Sequence, residues 1–274
     1  MKPIVKWAGG KRQLLPEILK RVPDKISVYY EPFFGGGAVG FELACKRAVI
    51  NDYNADLMNM YRVIRDNAGE LIAKVDRMMQ QNSSDYYYDI RNMDRASDWN
   101  KIDDITKAAR LIYLNKTGFN GLYRVNSRGL YNVPYGKYKN PSVDYDNIVD
   151  VCSYFRSSNV EIMAGDYKDV IKNVLKRRNK NGIFVYLDPP YVPLTATSAF
   201  TSYTSDGFGM QEQTELRDCC RMMKDAGVNF LLSNSSAKAV YELYDGFAIE
   251  EVEAKRAINS NGNKRGAVKE LLIS

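Results

Sequence analysis

The stretch "GIFVYLDPPY" at residues 182–191 constrains the fold of this chain more than any other. Its uninterrupted apolar run reads as a strand buried within a sheet. The two prolines that follow stop it, because each fixes φ and removes a backbone N–H. The strand therefore ends in bare carbonyls, with the Asp188 carboxylate before them and the Tyr191 ring after them. Asp-Pro alone is a common turn opening, but Asp-Pro-Pro-aromatic directly after a buried strand is far more restrictive. Such an edge accepts hydrogen bonds and offers a ring face, which suits something flat that carries an N–H group.

Similar punctuation recurs along the chain. "SVYYEPFFGGGAVGFELACK" reads as a strand, a glycine turn and a helix starting near Ala38. "RAVINDYNADLMNMYRVIRD" follows as a short strand with Asn51-Asp52 at its carboxyl end, then a second helix. From about residue 56 to 115 apolar residues recur at three- and four-residue steps, as in "ELIAKVDRMM" and "ITKAARLIYL", a helical pattern. Residues 118–141, rich in Gly, Asn, Tyr and Pro, predict a loop or hairpin. Alternation resumes with "NVEIMAGD", "YKDVIKNVLKRR", "GIFVYLD", "MQEQTELRDCCRMMKDAG" and "VNFLLSNS", and closes on "FAIEEVEAKRA" and "VKELLIS". The expected fold is an α/β sheet interrupted by a mostly helical, basic insertion. Ligands of open α/β sheets bind beyond the carboxyl ends of strands, and residues 31–37, Asp52 and residues 188–191 all converge on such ends.

Composition narrows the chemistry. The chain contains no histidine, which removes Ser–His and Cys–His catalysis and His-ligated metals. Cys45, Cys152, Cys219 and Cys220 lack metal-type spacing, so reduced thiols in a cytoplasm are the simplest reading. No 18-residue apolar run occurs, and "MKPIVKWAGG" lacks the apolar core of a signal peptide. Net charge is +6, yet residues 105–140 alone hold seven basic residues and no acidic one. Six aromatics (Tyr113, Phe119, Tyr123, Tyr131, Tyr135 and Tyr138) are interleaved with Lys107, Arg110, Lys116, Arg124, Arg128, Lys137 and Lys139. Basic and aromatic residues mixed in this way read as a polyanion-binding surface able to stack or wedge bases, against the plainer reading of a solvated basic face.

Two glycine motifs are weaker. "GGGAVG" at 35–40 satisfies G-x-G-x-x-G between an expected strand and helix, so a dinucleotide fold is a candidate, with Asp52 toward ribose hydroxyls. A tight strand-to-helix turn explains the same glycines. "KWAGGKR" at 6–12 only superficially resembles a phosphate loop: Val5 and Arg12 stand where Gly and Ser/Thr are required.

Taken in order, "KWAGGK", "EPFFGGGAVG", "NDYNADL", "FNGLYRVN", "YNVPYGKYKNP", "DPPYVPLTATSAFTSY" and "SNSS" resemble the Dam-type DNA adenine-N6 methyltransferases. The likeness runs from residue 4 to about 272, with the motif order of the α arrangement. It implies a Rossmann-like methyltransferase sheet in two segments, 1–55 and 147–274, with a target-recognition domain at 56–146. S-adenosyl-L-methionine would be the cofactor, leaving as S-adenosyl-L-homocysteine, with no metal. Trp7, Lys11, Phe33, Gly35, Gly37, Asp52, Asp166 and Asp188 would bind it. Asp188, Pro189, Pro190 and Tyr191 would be catalytic. Double-stranded DNA would be met by Lys6, Phe119, Asn120, Leu122, Arg124, Pro134, Lys137, Tyr138 and Lys139, in a cytoplasmic monomer that methylates GATC. Phe119 stands where relatives often carry Tyr, and Lys137 where Arg is common, so DNA contacts rather than chemistry would differ.

Three alternatives compete with this reading. A dehydrogenase rests on G-x-G-x-x-G alone. An amino-methyltransferase acting on cytosine N4, RNA or a protein glutamine would share the cofactor fold; Asp before Pro-Pro-Tyr favours adenine, and the basic insertion favours duplex DNA. A non-catalytic DNA-binding protein sits poorly with an intact Asp-Pro-Pro-Tyr.

Overall fold

The computed structural model describes residues 1–194, 208–255 and 267–274. The part of the "DPPYVPLTATSAFTSY" motif beyond Leu194 lies outside the described residues. Strand–helix alternation is as the sequence reads. Strand β1 (Val28–Glu31) precedes helix α2 (Ala38–Leu43), itself preceded by a short α1 (Leu15–Leu19). Strand β2 (Arg47–Ile50) then leads into helix α3 (Ala55–Gln80). Helices α4 (Ser84–Asn92), α5 (Asp104–Thr117) and α6 (Tyr145–Ser157) follow. The remainder alternates: β3 (Asn159–Ile162), α7 (Tyr167–Lys176), β4 (Ile183–Leu187), α8 (Met210–Asp225), β5 (Asn229–Ser235), α9 (Lys238–Leu243), β6 (Ile249–Lys255) and β7 (Ala267–Ile273).

The strands form one sheet in the order β3-β2-β1-β4-β5-β7-β6. β1 pairs parallel with both β2 and β4, β4 pairs parallel with β5, and β7 inserts antiparallel between β5 and β6. All five residues of β4 are buried, which accounts for its unbroken apolar composition. Strand order reverses between β1 and β4, so the residues following these two strands stand at the switch point.

The chain divides into two compact units. The first comprises Met1–Gly10, Phe34–Lys46 and Asn51–Gly165, and the second Lys11–Phe33, Arg47–Ile50 and Asp166–Ser274. These are units of packing, and their boundaries differ from the functional division expected from the sequence.

In the first unit α3 packs on α5 and α6, with α4 on α5. Asn54 caps α3 by accepting from Leu57 N at 2.9 Å, and Asp103 caps α5 through Thr106 N at 2.7 Å. Phe34, Phe41, Tyr61 and Phe155 form an aromatic cluster with ring centroids 5.0 to 6.2 Å apart. In the second unit Tyr29, Tyr186, Phe184 and Leu232 are almost completely buried along the sheet, and α8 packs on both β5 and α7. Vicinal Cys219 and Cys220 are buried on α8, where burial pushes both thiols up, in keeping with packing rather than reactivity.

Candidate active site

Within the first unit the glycine turn is built around Asp52 and Trp7. Gly35 N donates to Asp52 Oδ2 at 2.8 Å, and Asn54 N donates to Asp52 Oδ1 at 2.9 Å. Each carboxylate oxygen thus holds one backbone donor and keeps acceptor capacity for another. Burial pushes the Asp52 carboxyl above the usual aspartate range, against these two backbone donors. Tyr61 donates to Gly35 O at 3.0 Å from the aromatic cluster beneath. Gly37 has φ 74°, and a Cβ there would come within 2.5 Å of Phe34 and 2.7 Å of Phe41. Glycine is required for both reasons. A Cβ on Gly35 would meet Trp7 Cδ1 at 3.0 Å, and the ring centroids of Trp7 and Tyr123 lie 4.8 Å apart. The structure therefore brings Trp7, Gly35, Gly37 and Asp52 together.

Within the second unit the edge after β4 is organised by charge. Lys11 is buried, its Nζ 2.8 Å from Asp188 Oδ1 and 4.6 Å from the centre of the Tyr191 ring. Lys11 thus pairs with the protein's own Asp188. Gln213 Nε2 donates to Pro190 O at 2.7 Å, whereas no hydrogen bond among the described residues engages Pro189 O. Asn234 extends this hold: its Nδ2 donates to Gln213 Oε1 at 3.1 Å, and its Oδ1 accepts from Val192 N at 3.2 Å. Tyr191 donates its hydroxyl to Glu270 Oε2 at 2.7 Å. Burial, then Asp188 and Glu270, push the Tyr191 hydroxyl well above its usual range, so it stays a donor. Phe33 stacks on Tyr167 at 5.0 Å, next to Asp166, which caps α7 by accepting from Lys168 N at 2.9 Å.

Sequence reading did not find Gln213, Asn234 and Glu270 as parts of this edge. Gln213 and Asn234 are only 2 % and 0 % exposed. A buried amide in an otherwise apolar helix face is the one signal available beforehand.

The expected DNA-contact residues occupy one stretch of the first unit. Asn115, buried, bonds Lys6 N and O at 2.8 and 2.9 Å and Gly121 O at 2.8 Å, fixing Lys6 beside the loop. Phe119 is exposed and its N–H reaches Pro134 O at 2.9 Å. Asn120 takes φ 55°, a left-handed turn that asparagine tolerates. Val125 and Tyr131 bridge a hairpin across which Arg124 Nε donates to Asn132 Oδ1 at 2.7 Å. Leu122, Arg124, Pro134, Lys137, Tyr138 and Lys139 are all exposed.

The basic segment needs correcting at four residues. Arg110 is 6 % exposed and pairs with the buried Asp94 at 2.8 Å, so it braces the insertion instead of facing solvent. Tyr113 and Tyr131 are core residues at 0 % and 3 % exposure. Asp94 Oδ2 also accepts from Tyr131 N at 2.8 Å, and Arg95 donates to Tyr131 O at 2.7 Å, pinning the hairpin to the helices. Lys116 is partly buried and its pKa is lowered by burial first, then by Lys6.

Among the described residues no group of three or more His, Cys, Asp or Glu could hold a metal ion, and no helix is long and apolar enough to cross a membrane. Comparison with known proteins gives the family. The chain is 44% identical over 275 residues to the type II methyltransferase M1.LlaDCHI of Lactococcus lactis subsp. cremoris, covering 100% of this chain and 95% of the relative. It is 40% identical to the type II methyltransferase M.MjaIII of Methanocaldococcus jannaschii, covering 100% and 98%. It is 32% identical to the DNA adenine methylase of Escherichia coli K12, covering 98% and 93%. The model of the D12 class matches residues 7–258, which include the glycine motif at 35–40, the hairpin and Asp188 to Tyr191. The chain belongs to the D12 class of N6 adenine-specific DNA methyltransferases.

Proposed function

We propose that the chain transfers a methyl group from S-adenosylmethionine to N6 of an adenine flipped out of duplex DNA, within GATC. The observation that carries this reading is the edge after β4. Asp188 and the Pro189 carbonyl offer acceptors there, while Gln213 occupies the Pro190 carbonyl. Adenine N6 is a poor nucleophile because its lone pair is delocalised into the ring. Two acceptors on its hydrogens localise that pair, which is catalysis by positioning and electrostatics. S-adenosylmethionine supplies a methyl group on a sulfonium when bound.

The residues present fit that cofactor. Asp52 keeps acceptor capacity for ribose hydroxyls, Trp7 gives an aromatic wall, and the Gly35–Gly37 turn lets backbone approach closely. Lys11, Phe33 and Asp166 are the further residues that the resemblance assigns to the cofactor, Asp166 to its adenine. Tyr191 stacks on the target base, which leaves the duplex at a cost of a few kcal/mol. Phe119 fills the vacated space. Lys6, Asn120, Leu122, Arg124 and Pro134 read bases, Arg124 at a guanine O6/N7 pair and Leu122 and Pro134 at a thymine methyl. Lys137, Tyr138 and Lys139 track phosphates. By this reading residues 1–55 and 147–274 carry catalysis and 56–146 carry recognition.

The test uses plasmid DNA from a methylation-free host, treated with the protein and S-adenosylmethionine and cut by paired nucleases that respectively reject and require methylated GATC. Protection from the first with sensitivity to the second is expected. N6-methyladenine in hydrolysed DNA without that pattern overturns the GATC assignment alone, and its absence overturns the activity.

A further inference from the structure

We propose that Glu270 is a positioning residue for methyl transfer: it holds in place the Tyr191 ring on which the target base stacks. The inference rests on the function proposed above and adds to it a residue 79 positions away from Tyr191 in sequence.

The geometry comes from one rung of the sheet. Ser235 of β5 and Glu270 of β7 are register partners. From that rung the Ser235 hydroxyl donates to Val192 O at 2.6 Å, while Glu270 Oε2 accepts from the Tyr191 hydroxyl at 2.7 Å. Two consecutive residues of the loop are thus held by two directly paired strand residues, one through backbone and one through side chain. Lys11 lies 4.6 Å from the Tyr191 ring centre, so the ring is constrained on a face as well as at its tip.

Stacking alone needs only a ring, and phenylalanine would supply it. A hydroxyl bound to a carboxylate adds direction: the C–O bond lies in the ring plane, so anchoring the oxygen limits swinging of the ring about its Cα. A hydroxyl that merely needed a partner could have taken water or a backbone carbonyl. Glu270 instead commits a half-buried carboxylate on β7 to this single contact with the loop. The high proton affinity of the Tyr191 hydroxyl keeps it the donor throughout the working pH range.

The test is a double-mutant cycle on the full chain. Single-turnover incorporation of labelled methyl into unmethylated genomic DNA is measured for Tyr191→Phe, Glu270→Leu, the double variant and Glu270→Gln, with S-adenosylmethionine affinity and thermal midpoint alongside. Tyr191→Phe and Glu270→Leu should each slow transfer about tenfold, the effect of one charge-assisted hydrogen bond. The double variant should be no slower than either single one, and Glu270→Gln, which keeps an acceptor, should stay within about threefold of wild type. Cofactor affinity should not move. Additive losses, or a Glu270→Leu variant that transfers at the wild-type rate, overturn the positioning role. So does a Glu270→Gln variant as slow as Glu270→Leu. A wild-type protein that incorporates no methyl overturns the proposed activity itself, and this inference with it.

Discussion

Gly37 and Asp52 carry the glycine turn, and each makes a prediction. Gly37→Ala places a Cβ within 2.7 Å of two phenylalanine rings at φ 74°. Left-handed strain and overpacking together should cost roughly 2–4 kcal/mol, read as a lowered denaturation midpoint. Asp52 is a carboxyl whose folded-state pKa is raised by burial. Between its unfolded and folded pKa the folded protein binds the proton more tightly, so this group favours the native state at low pH. That contribution is lost as pH rises through the folded value. On the proposed function cofactor binding runs the opposite way, because protonation would remove an acceptor for ribose. Calorimetric affinity for S-adenosylmethionine should therefore weaken on acidification from a pH above the ordinary aspartate range, and Asp52→Asn should abolish that step. An unchanged pH profile in Asp52→Asn would remove Asp52 from the cofactor site.

At the scale of elements, the hairpin and its supports decide what the basic segment can do. Four of its seven basic residues, Arg124, Arg128, Lys137 and Lys139, are exposed, and on the proposed function these are the ones that would neutralise phosphates or read bases. Lys137→Ala or Lys139→Ala should weaken DNA binding on every sequence and shallow its dependence on salt by about one unit of slope. Arg124→Ala should instead leave the salt slope nearly intact and cost roughly 1–3 kcal/mol of discrimination at one base pair. Titration against cognate and altered duplexes at two salt concentrations separates the two outcomes; equal behaviour of Arg124 and Lys139 variants would move the reading head elsewhere.

Arg110 shows why this segment was only partly legible. Its sequence neighbours are apolar, but its partner Asp94 lies in another element, and charge counting along the chain cannot see such a pair. Helix α6 was missed for another reason. Ile148, Val151, Cys152 and Phe155 have helical spacing and Asp144 caps them through Asn147 N. The sequence reading assigns 118–141 to a loop or hairpin and resumes at Asn159, leaving this stretch unassigned.

Over the whole molecule, alternation of strands and helices exposed the sheet, and glycine, proline and carboxylate punctuation exposed the ends of β1, β2 and β4. Those signals are local, so Asp52, Asp188 and Tyr191 could be chosen from them, whereas Trp7 entered through the family resemblance. Antiparallel insertion of β7 between β5 and β6 is not local, and it is β7 that brings Glu270 to Tyr191. Gln213 and Asn234 were hidden for the same reason, since each reaches the loop from a different element.

The central claim is that residues 188–191 transfer the methyl group while the hairpin reads the DNA. The most direct measurement is single-turnover methyl transfer to a GATC duplex by Asp188→Ala, with duplex affinity recorded on the same samples. The account predicts that transfer falls below detection while affinity for the duplex stays within about threefold of wild type, because Asp188 follows β4 and lies outside the hairpin proposed to read the DNA. Transfer retained by Asp188→Ala, or affinity lost together with it, would contradict the account.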